Sequence, residues 1–271
     1  MGFEVLPGAP ESPVILHVPH ASRELTAAAR AGILLDDEAI AEELDRLTDA
    51  YTDVIAQRAA ATATVRPWIF ENRLSRLVVD PERFPDDREM MRVAGMGAVY
   101  THGFAGRRLR DPDPVRDDLL LAAHFAPYAA GMSALVGDRL AATGRAVILD
   151  VHSYPAAALP YELHGDAPRP PVCIGADAFH TPPELIAAAA AAFGDVALDT
   201  PFAGCYVPLD RYRTTRAVTA LMIEIRRDGY LIEPAGPATA GLASLATALA
   251  ALVEAAGPAG APAPGRSERR A

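Results

Sequence analysis

Short apolar runs alternate with longer amphipathic stretches along most of the chain. An uninterrupted apolar run bounded by loop residues is typical of a strand that is buried on both faces of a sheet. Such runs predict four central strands, at residues 13–18, 146–151, 172–174 and 218–225. Residues 65–70 and 76–79 also have strand-like composition and predict a hairpin. Residues 1–12 read as an irregular lead-in.

Apolar residues at helical spacing predict four helices, at residues 35–61, 114–142, 183–193 and 242–255. Asp36 or Asp37 is a suitable N-cap for the first helix, and Pro127 predicts a break in the second. Residues 81–112 are rich in Pro, Asp, Arg, Gly and Met and have no clean periodicity, so they predict a functional loop region.

Strands that alternate with helices predict a single α/β domain whose central sheet, mostly parallel or mixed, is covered by helices on both faces. We assign residues 1–256 to this domain and residues 257–271 to a disordered tail. Ligands of such sheets bind beyond the carboxyl ends of the strands. The sequence places four chemically capable side chains at or near the ends of apolar runs: His20, Asp80, His152 and Glu224.

Charge and composition exclude several classes of protein. The chain has a formal charge of −10 and contains no lysine, so it lacks the cationic surface that nucleic acids and anionic membranes require. No stretch is long and apolar enough to span a membrane, no signal peptide is recognisable, and two cysteines are too few for a disulfide framework. We therefore expect a cytoplasmic protein, monomeric or a small homo-oligomer, in which arginine binds any substrate carboxylate.

Two histidines carry the most specific signal for chemistry. His20 follows one predicted strand and His152 ends another, and both have small neighbours. Neutral imidazoles bind Zn²⁺ well, and catalytic zinc commonly has three protein ligands and an open position for water. Two histidines and a carboxylate make up such a set. His17, His102, His124, His164 and His180 are interpreted as structural or solvated.

The third ligand must be an acidic residue. Asp45, Asp49 and Asp53 fall at i, i+4 and i+8 of the first predicted helix, on one face, where they form either a solvated stripe or part of a cation site. Glu224 lies within an apolar strand, where an unpaired carboxylate is costly. It either pairs with Arg226 or Arg227 or faces the site as a general base.

Seven segments then carry a resemblance to the N-formylglutamate amidohydrolase family. They occur in the family's order at residues 12–22, 43–53, 75–84, 95–100, 149–153, 204–209 and 222–227. The last segment departs from the family's usual Glu-x-Asn-Arg, because Arg226 occupies the asparagine position. The resemblance implies a hydrolase fold similar to zinc carboxypeptidases, and a small anionic N-acyl amino acid as substrate, with N-formylglutamate the first choice.

The resemblance also implies roles for individual residues. His20, Asp49 and His152 would hold one Zn²⁺, with Asp53 as the alternative to Asp49, and Glu224 would be the base. Arg76 and Arg83 would orient the substrate and stabilise the oxyanion. Further substrate contacts are expected from Arg73, Ser153, Tyr206, Arg211 and Arg226.

Three other functions are compatible with these residues. The same centre could hydrolyse another N-acyl amino acid, a short peptide or a cell-wall fragment. A protein of this fold could instead bind a metal or an acidic metabolite without catalysis. A serine nucleophile is disfavoured, because Ser153 lacks the Gly-x-Ser-x-Gly turn that would expose it.

Overall fold

A computed structural model describes residues 2–163 and 165–257 of the chain. The strands are β1 (Phe3–Leu6), β2 (Val14–Val18), β3 (Trp68–Asn72), β4 (Ala146–Tyr154), β5 (Val172–Gly175), β6 (Val196–Leu198) and β7 (Val218–Arg226). The α-helices are α1 (Ala27–Ala31), α2 (Asp37–Leu47), α3 (Thr52–Thr62), α4 (Pro114–Leu120), α5 (Ala126–Thr143), α6 (Pro183–Phe193) and α7 (Gly241–Ala256). The predicted tail lies outside the described residues except for Gly257.

The seven strands form one mixed sheet in the order β1-β3-β2-β4-β7-β5-β6. Strands β3, β2, β4 and β7 are parallel neighbours, whereas β1 and β5 run antiparallel to β3 and β7. The predicted single-domain α/β fold with a mixed central sheet is therefore confirmed. Because the four central strands are parallel, their carboxyl ends meet at one edge of the sheet.

Helices cover both faces of the sheet. On one face, α3, α6 and α7 pack against alternate strand residues such as Leu16, Leu149 and Ile223. On the opposite face, α5 packs through residues such as Met132 against Ile148 and its neighbours. Alternation along each strand explains this division, because successive side chains point to opposite faces.

The predicted helix over residues 35–61 is in fact two helices. Helix α2 begins after the N-cap Asp36, as predicted, and ends at Thr48, whose backbone is extended. The backbone N–H of Asp49 donates to the carbonyl of His20 instead of continuing the helix, and Tyr51 adopts a left-handed conformation (φ 67°) before α3. The break draws residue 49 towards the end of β2.

The predicted strand at residues 76–79 is wrong. These residues form a turn in which the backbone N–H of Val78 donates to the carbonyl of Ser75, while the Ser75 hydroxyl accepts from the N–H of Leu77. Serine competes for backbone groups in this way and so favours turns over strands. Three short elements were not predicted, namely β1, α1 and β6.

Residues 114–143 form one helix with an internal π-turn at Leu121–Phe125. The π-turn lies just before Pro127, which lacks an N–H donor and would clash with the carbonyl four residues earlier in a regular helix. An 18-residue window of this helix has a mean hydropathy of 1.5, so the prediction that no segment reaches membrane-spanning composition is wrong here. Its inner face nevertheless packs on the sheet through Tyr128 and Met132.

Candidate active site

Four neighbouring parallel strands direct polar side chains into one cleft at their carboxyl edge. His20 follows β2, His152 lies near the end of β4, and Glu224 lies opposite His152 in the β4–β7 register. Asp80 follows β3 through the turn described above. His152 and Glu224 share the sheet face that α5 covers, so the site is built on that face.

Three donor atoms converge within this cleft. The Nδ1 atoms of His20 and His152 are 3.3 Å apart, and Oδ2 of Asp49 lies 3.7 Å and 3.1 Å from them. All three side chains are buried. The three residues form a group with the composition and proximity of a metal site.

The hydrogen bond at Nε2 of His20 determines whether its Nδ1 can bind a metal. Its Nε2 lies 2.9 Å from Oδ1 of Asp80, so Nε2 carries the proton that it donates to this carboxylate. When the ring is neutral, it presents a lone pair at Nδ1, towards Asp49 and the Nδ1 of His152. A metal cation held between the two lone pairs and the carboxylate would satisfy all three groups.

The separations fit zinc. Ligand bonds of about 2.0–2.2 Å in a tetrahedral arrangement place donor atoms about 3.3 Å apart, close to the 3.1–3.7 Å observed between these atoms. Carboxylates on the outer side of metal-ligating histidines are a usual accompaniment of such centres. His20, Asp49 and His152 therefore form a suitable set of three zinc ligands.

Asp80 anchors the His20 side of the site. Its Oδ2 accepts from Nη2 of Arg76 at 2.8 Å and from the hydroxyl of Tyr100 at 2.6 Å, while Nε of Arg83 lies 3.6 Å away. Burial alone would raise the pKa of Asp80, but the charges of Arg76 and His20 outweigh it and hold this pKa well below the ordinary value. Asp80 is therefore a permanent carboxylate that orients His20.

Arg227 holds the carboxylate ligand in place. Its Nη2 donates to Oδ1 of Asp49 at 3.0 Å, its Nε donates to the hydroxyl of Ser153 at 3.1 Å, and its Nη1 donates to the carbonyl of Arg46. This leaves Oδ2 of Asp49 free to face the two histidines. Burial opposes ionisation of Asp49, but hydrogen bonds with His152 and His20 outweigh it and lower its pKa far below the ordinary value.

A buried chain of polar groups lies behind His152. Its Nε2 is 3.0 Å from Oδ1 of Asp150, which lies 2.8 Å from Nδ1 of His17, and Nε2 of His17 contacts the hydroxyl of Tyr128 at 2.5 Å. Oε2 of Glu82 lies 3.2 Å from the same Nε2 of His152. Burial lowers the pKa of His152, but Asp150 and Glu82 outweigh it and raise this pKa well above the ordinary value.

Glu224 is positioned to accept a proton. Its Oε2 is buried and has no hydrogen-bond partner among the described residues. Burial raises the pKa of Glu224 to about 7, against the opposing charge of His152. A free carboxylate oxygen with a near-neutral pKa beside a candidate metal centre has the properties of a general base.

The cleft has a volume of about 490 Å³ and is lined by polar and apolar side chains. A neighbouring cavity of about 270 Å³ shares Glu82, Arg83, Phe84, Ala203 and Met222 with it. The cleft is therefore large enough for a small-molecule ligand.

The structure brings seven of the predicted site residues to this cleft: His20, Asp49, Arg76, Arg83, His152, Ser153 and Glu224. Asp49, the preferred candidate, lies with His20 and His152 in a group that could hold a metal, whereas Asp53 lies in the first turn of α3 and belongs to no such group among the described residues. The stripe that was to include Asp45 does not exist, because the helix ends between Asp45 and Asp49, and Asp45 pairs with Arg23 at the surface.

Four predicted substrate-binding residues do not line the cleft. Arg73 is an exposed residue that pairs with Glu71, and Arg211 pairs with Asp210. Arg226 donates to Asp228 and to the carbonyl of Arg169. Tyr206 lines the smaller cavity, where its ring lies 4.4 Å from that of His17. Arg73 and Arg226 are occupied by nearby acceptors, which sequence spacing does not reveal, and Arg211 lies outside the cleft beside Asp210.

The remaining histidines separate into distinct environments. His17, predicted to be structural, is fully buried and connects to the site through Asp150. His180 is also buried, and its two ring nitrogens contact the carbonyl of Val218 and the N–H of Arg213. His102 and His124 do not line the cleft, and His164 lies outside the described residues.

Four residues of the site had no predicted role in it: Arg46, Glu82, Asp150 and Arg227. Asp150 and Arg227 were within reach of sequence reasoning, since each lies two or three residues from a predicted functional residue on the same strand or just after it. Asp80 had been noted only for its position after a strand. Arg46 and Glu82 lie on a helix end and in a loop, where no periodicity signals their direction.

Two histidines and a carboxylate with an adjacent free glutamate lie at the carboxyl edge of a mixed α/β sheet. This arrangement is typical of hydrolases. The family model of N-formylglutamate amidohydrolase matches residues 12–231. The chain belongs to the N-formylglutamate amidohydrolase family.

Solved structures share the fold at low sequence identity. The crystal structure of N-formylglutamate amidohydrolase from Ralstonia eutropha JMP134 has a TM-score of 0.77 and 20% identity, covering 93% of this chain and 95% of that one. The structure of a gene product from Agrobacterium tumefaciens has a TM-score of 0.69 and 20% identity, covering 94% of each chain. No curated protein sequence matches the chain.

Proposed function

We propose that the protein is a zinc-dependent amidohydrolase of small N-acyl acidic amino acids, with N-formylglutamate, which gives glutamate and formate, as the reference substrate. The observation that carries the proposal is the convergence of three donor atoms, from His20, Asp49 and His152, beside the free carboxylate of Glu224. Family membership supports amide hydrolysis as the reaction.

The ligand set supports zinc as the metal. His20, Asp49 and His152 would hold Zn²⁺, which when bound supplies a Lewis acid and lowers the pKa of water towards about 7. Asp80 accepts the Nε2 proton of His20, and the carboxylates of Asp150 and Glu82, 3.0 and 3.2 Å from Nε2 of His152, favour a proton there by their charge, so that both Nδ1 atoms stay available as donors.

Glu224 performs the proton transfers. Its unpartnered Oε2 accepts a proton from the attacking water and then delivers it to the leaving nitrogen. A pKa raised to about 7 by burial suits both roles near neutral pH. An unpartnered buried carboxylate lowers the stability of the fold and would serve no purpose in a protein that only binds a metal or a metabolite. Its presence therefore favours an enzyme over a non-catalytic binding protein.

Arginines at the cleft would bind the substrate carboxylates. Arg76 is committed to Asp80, so it positions that residue more than it contacts substrate. Arg83 and Arg46 both line the cleft, and their guanidinium groups could pair with a substrate carboxylate there. Two unpaired cysteines, Cys173 and Cys205, are in keeping with a cytoplasmic location.

Metal analysis and formate release on a set of variants test the proposal. Glu224→Gln should retain zinc and lose about 10²–10⁴-fold in turnover of N-formylglutamate, because the base is lost while the ligands remain. His152→Ala should lose both zinc and activity. Exposed Glu38→Gln and half-buried His124→Ala, both outside the cleft, are the matched controls and should behave as wild type. Near-normal turnover by Glu224→Gln would rule it out as the base.

A further inference from the structure

The cleft has two chemically different flanks. Strand order places β3 and β2 on one side of His152, and β7 and β5 on the other. Arg83 and Arg46 lie on the first side, since one follows β3 and the other ends α2 near His20. On the second side, beyond Glu224, the cleft is lined by the aromatic rings of Tyr154 and Phe202, and by Asp199, which accepts from the N–H of Ala176. The candidate metal ligands lie between the two flanks.

The apolar flank is built from Tyr154 and Phe202. Tyr154 follows His152 by two residues on β4, so both side chains lie on the same face of the sheet. The ring of Phe202 packs edge-on against Tyr154, with centroids 5.5 Å apart, and it remains half-buried as part of the cleft wall. Pro201, which precedes Phe202, also lines the cleft.

Phe202 is held beside the proposed base. Cys173 on β5 pairs with Glu224 in the β5–β7 register, and its Sγ lies 3.1 Å from the carbonyl of Phe202. The half-buried ring therefore borders the cleft next to Glu224. A formyl group has no carbon beyond its carbonyl and would leave this wall without a partner.

The polar flank contains two arginines, Arg83 and Arg46. The Nε atoms of Arg83 and Arg46 are buried and have no hydrogen-bond partner among the described residues, and the ion pairs of Arg83 with Asp80 and Glu89 are long, at 3.6 and 3.9 Å. Both arginines line the cleft, so a substrate carboxylate could pair with their guanidinium groups. The flank facing Arg83 and Arg46 thus suits the amino-acid part of a substrate, and the opposite flank suits its acyl part.

We propose that the cleft binds N-acyl amino acids whose acyl group carries an apolar chain of several carbons, packed against Phe202 and Tyr154, with the carboxylate at Arg83 and Arg46. The inference rests on the proposed amide hydrolysis and extends the substrate beyond formyl. In the reaction the acyl carbon–nitrogen bond breaks, and water supplies a hydroxyl to the acyl carbon and a proton to the nitrogen. The products are a carboxylic acid and a free amino acid.

A series of N-formyl-, N-acetyl-, N-butyryl- and N-hexanoyl-L-glutamate tests the proposal with the zinc-loaded enzyme. kcat/KM should rise along the series, by about fourfold for each methylene that becomes fully buried. Phe202→Ala should flatten this dependence, and Phe202→Leu should retain part of it. Leu119→Ala, which removes an exposed apolar side chain on α4, is the matched control and should leave the series unchanged.

The outcomes separate this inference from the proposed function. If N-formylglutamate is the best substrate and longer chains react more slowly, the inference is overturned and amide hydrolysis stands. A rise that survives Phe202→Ala unchanged overturns the assignment of the acyl group to this flank. If no member is hydrolysed, the proposed function fails, and calorimetric binding of the same series decides: affinity that increases with chain length supports the apolar subsite, and constant affinity overturns it.

Discussion

Replacing Asp80 by asparagine perturbs the most heavily bonded carboxylate of the site. Asp80 is fully buried and contacts His20, Arg76 and Tyr100 at 2.6–2.9 Å. Asn has nearly the same shape but no charge, and its amide N–H₂ faces donors. The substitution therefore leaves the guanidinium of Arg76, whose side chain is only 12% exposed, without its counter-ion.

The expected loss of stability follows from breaking a buried ion pair. Removing one partner of such a pair costs about 3–5 kcal/mol, because the remaining charge stays buried and uncompensated. In a domain of this size, that corresponds to a fall in Tm of about 6–20 °C. The pKa of Asp80 is lowered in the folded state, so its contribution is present above pH ~4 and lost as the pH falls further.

Thermal and urea unfolding in the presence of a chelator measures this loss without a contribution from bound metal. Asp87→Asn, at a fully exposed ion pair with Arg92, is the matched control and should unfold as the wild type does. Adding Arg76→Met to Asp80→Asn should recover part of the loss, since no unpaired charge then remains. An Asp80→Asn protein within about 0.5 kcal/mol of the wild type would refute the reasoning.

Two other changes have expected outcomes away from the metal ligands. Gly103→Ala should destabilise the fold by about 1–3 kcal/mol in urea unfolding, because the added Cβ would lie 2.3 Å from the buried carboxylate of Glu43. Gly137→Ala is the matched control, because nothing lies within 4 Å of the added Cβ, and it should be neutral or stabilising. An equal loss of stability in the two variants would contradict this reasoning. Asp177→Asn should lower the free energy of unfolding at pH 7 and reduce the loss of this free energy below pH ~4. Burial raises the pKa of Asp177, but hydrogen bonds from Phe179 and Arg213 outweigh it, so the pKa is lowered in the folded state. The same loss of stability below pH ~4 in the variant and the wild type would contradict this prediction.

Alternation of apolar runs was sufficient to predict the central sheet and its helical layers. The strands β2, β4, β5 and β7 are buried throughout or nearly so, and their apolar runs are therefore visible in the sequence. Strands β1 and β6 are short, partly exposed edge strands, and their composition does not distinguish them from loops. Periodicity also did not reveal the break at Thr48, which depends on a hydrogen bond from Asp49 to His20.

The candidate site also contains residues that the sequence could predict and residues that it could not. His20, His152 and Glu224 could be predicted because each lies at a strand end or within a strand whose direction the pattern defines. The roles of the arginines could not be predicted, because an arginine's role depends on which acceptors lie within reach. Arg227 and Arg226 are adjacent in sequence, yet one holds Asp49 and the other pairs with Asp228.

The order in which the chain is synthesised constrains when a cation can enter this centre. His20 and His152 are separated by 132 residues, and Asp49 and Arg227 by 178. A nascent chain that has been released as far as residue 49 presents only His20 and Asp49 of the candidate ligand set, too few for tight binding of zinc. Capture of an ion by this set would have to wait until β4 has joined β2 at the middle of the sheet. Occupancy of the site would therefore report that the centre of the fold is complete.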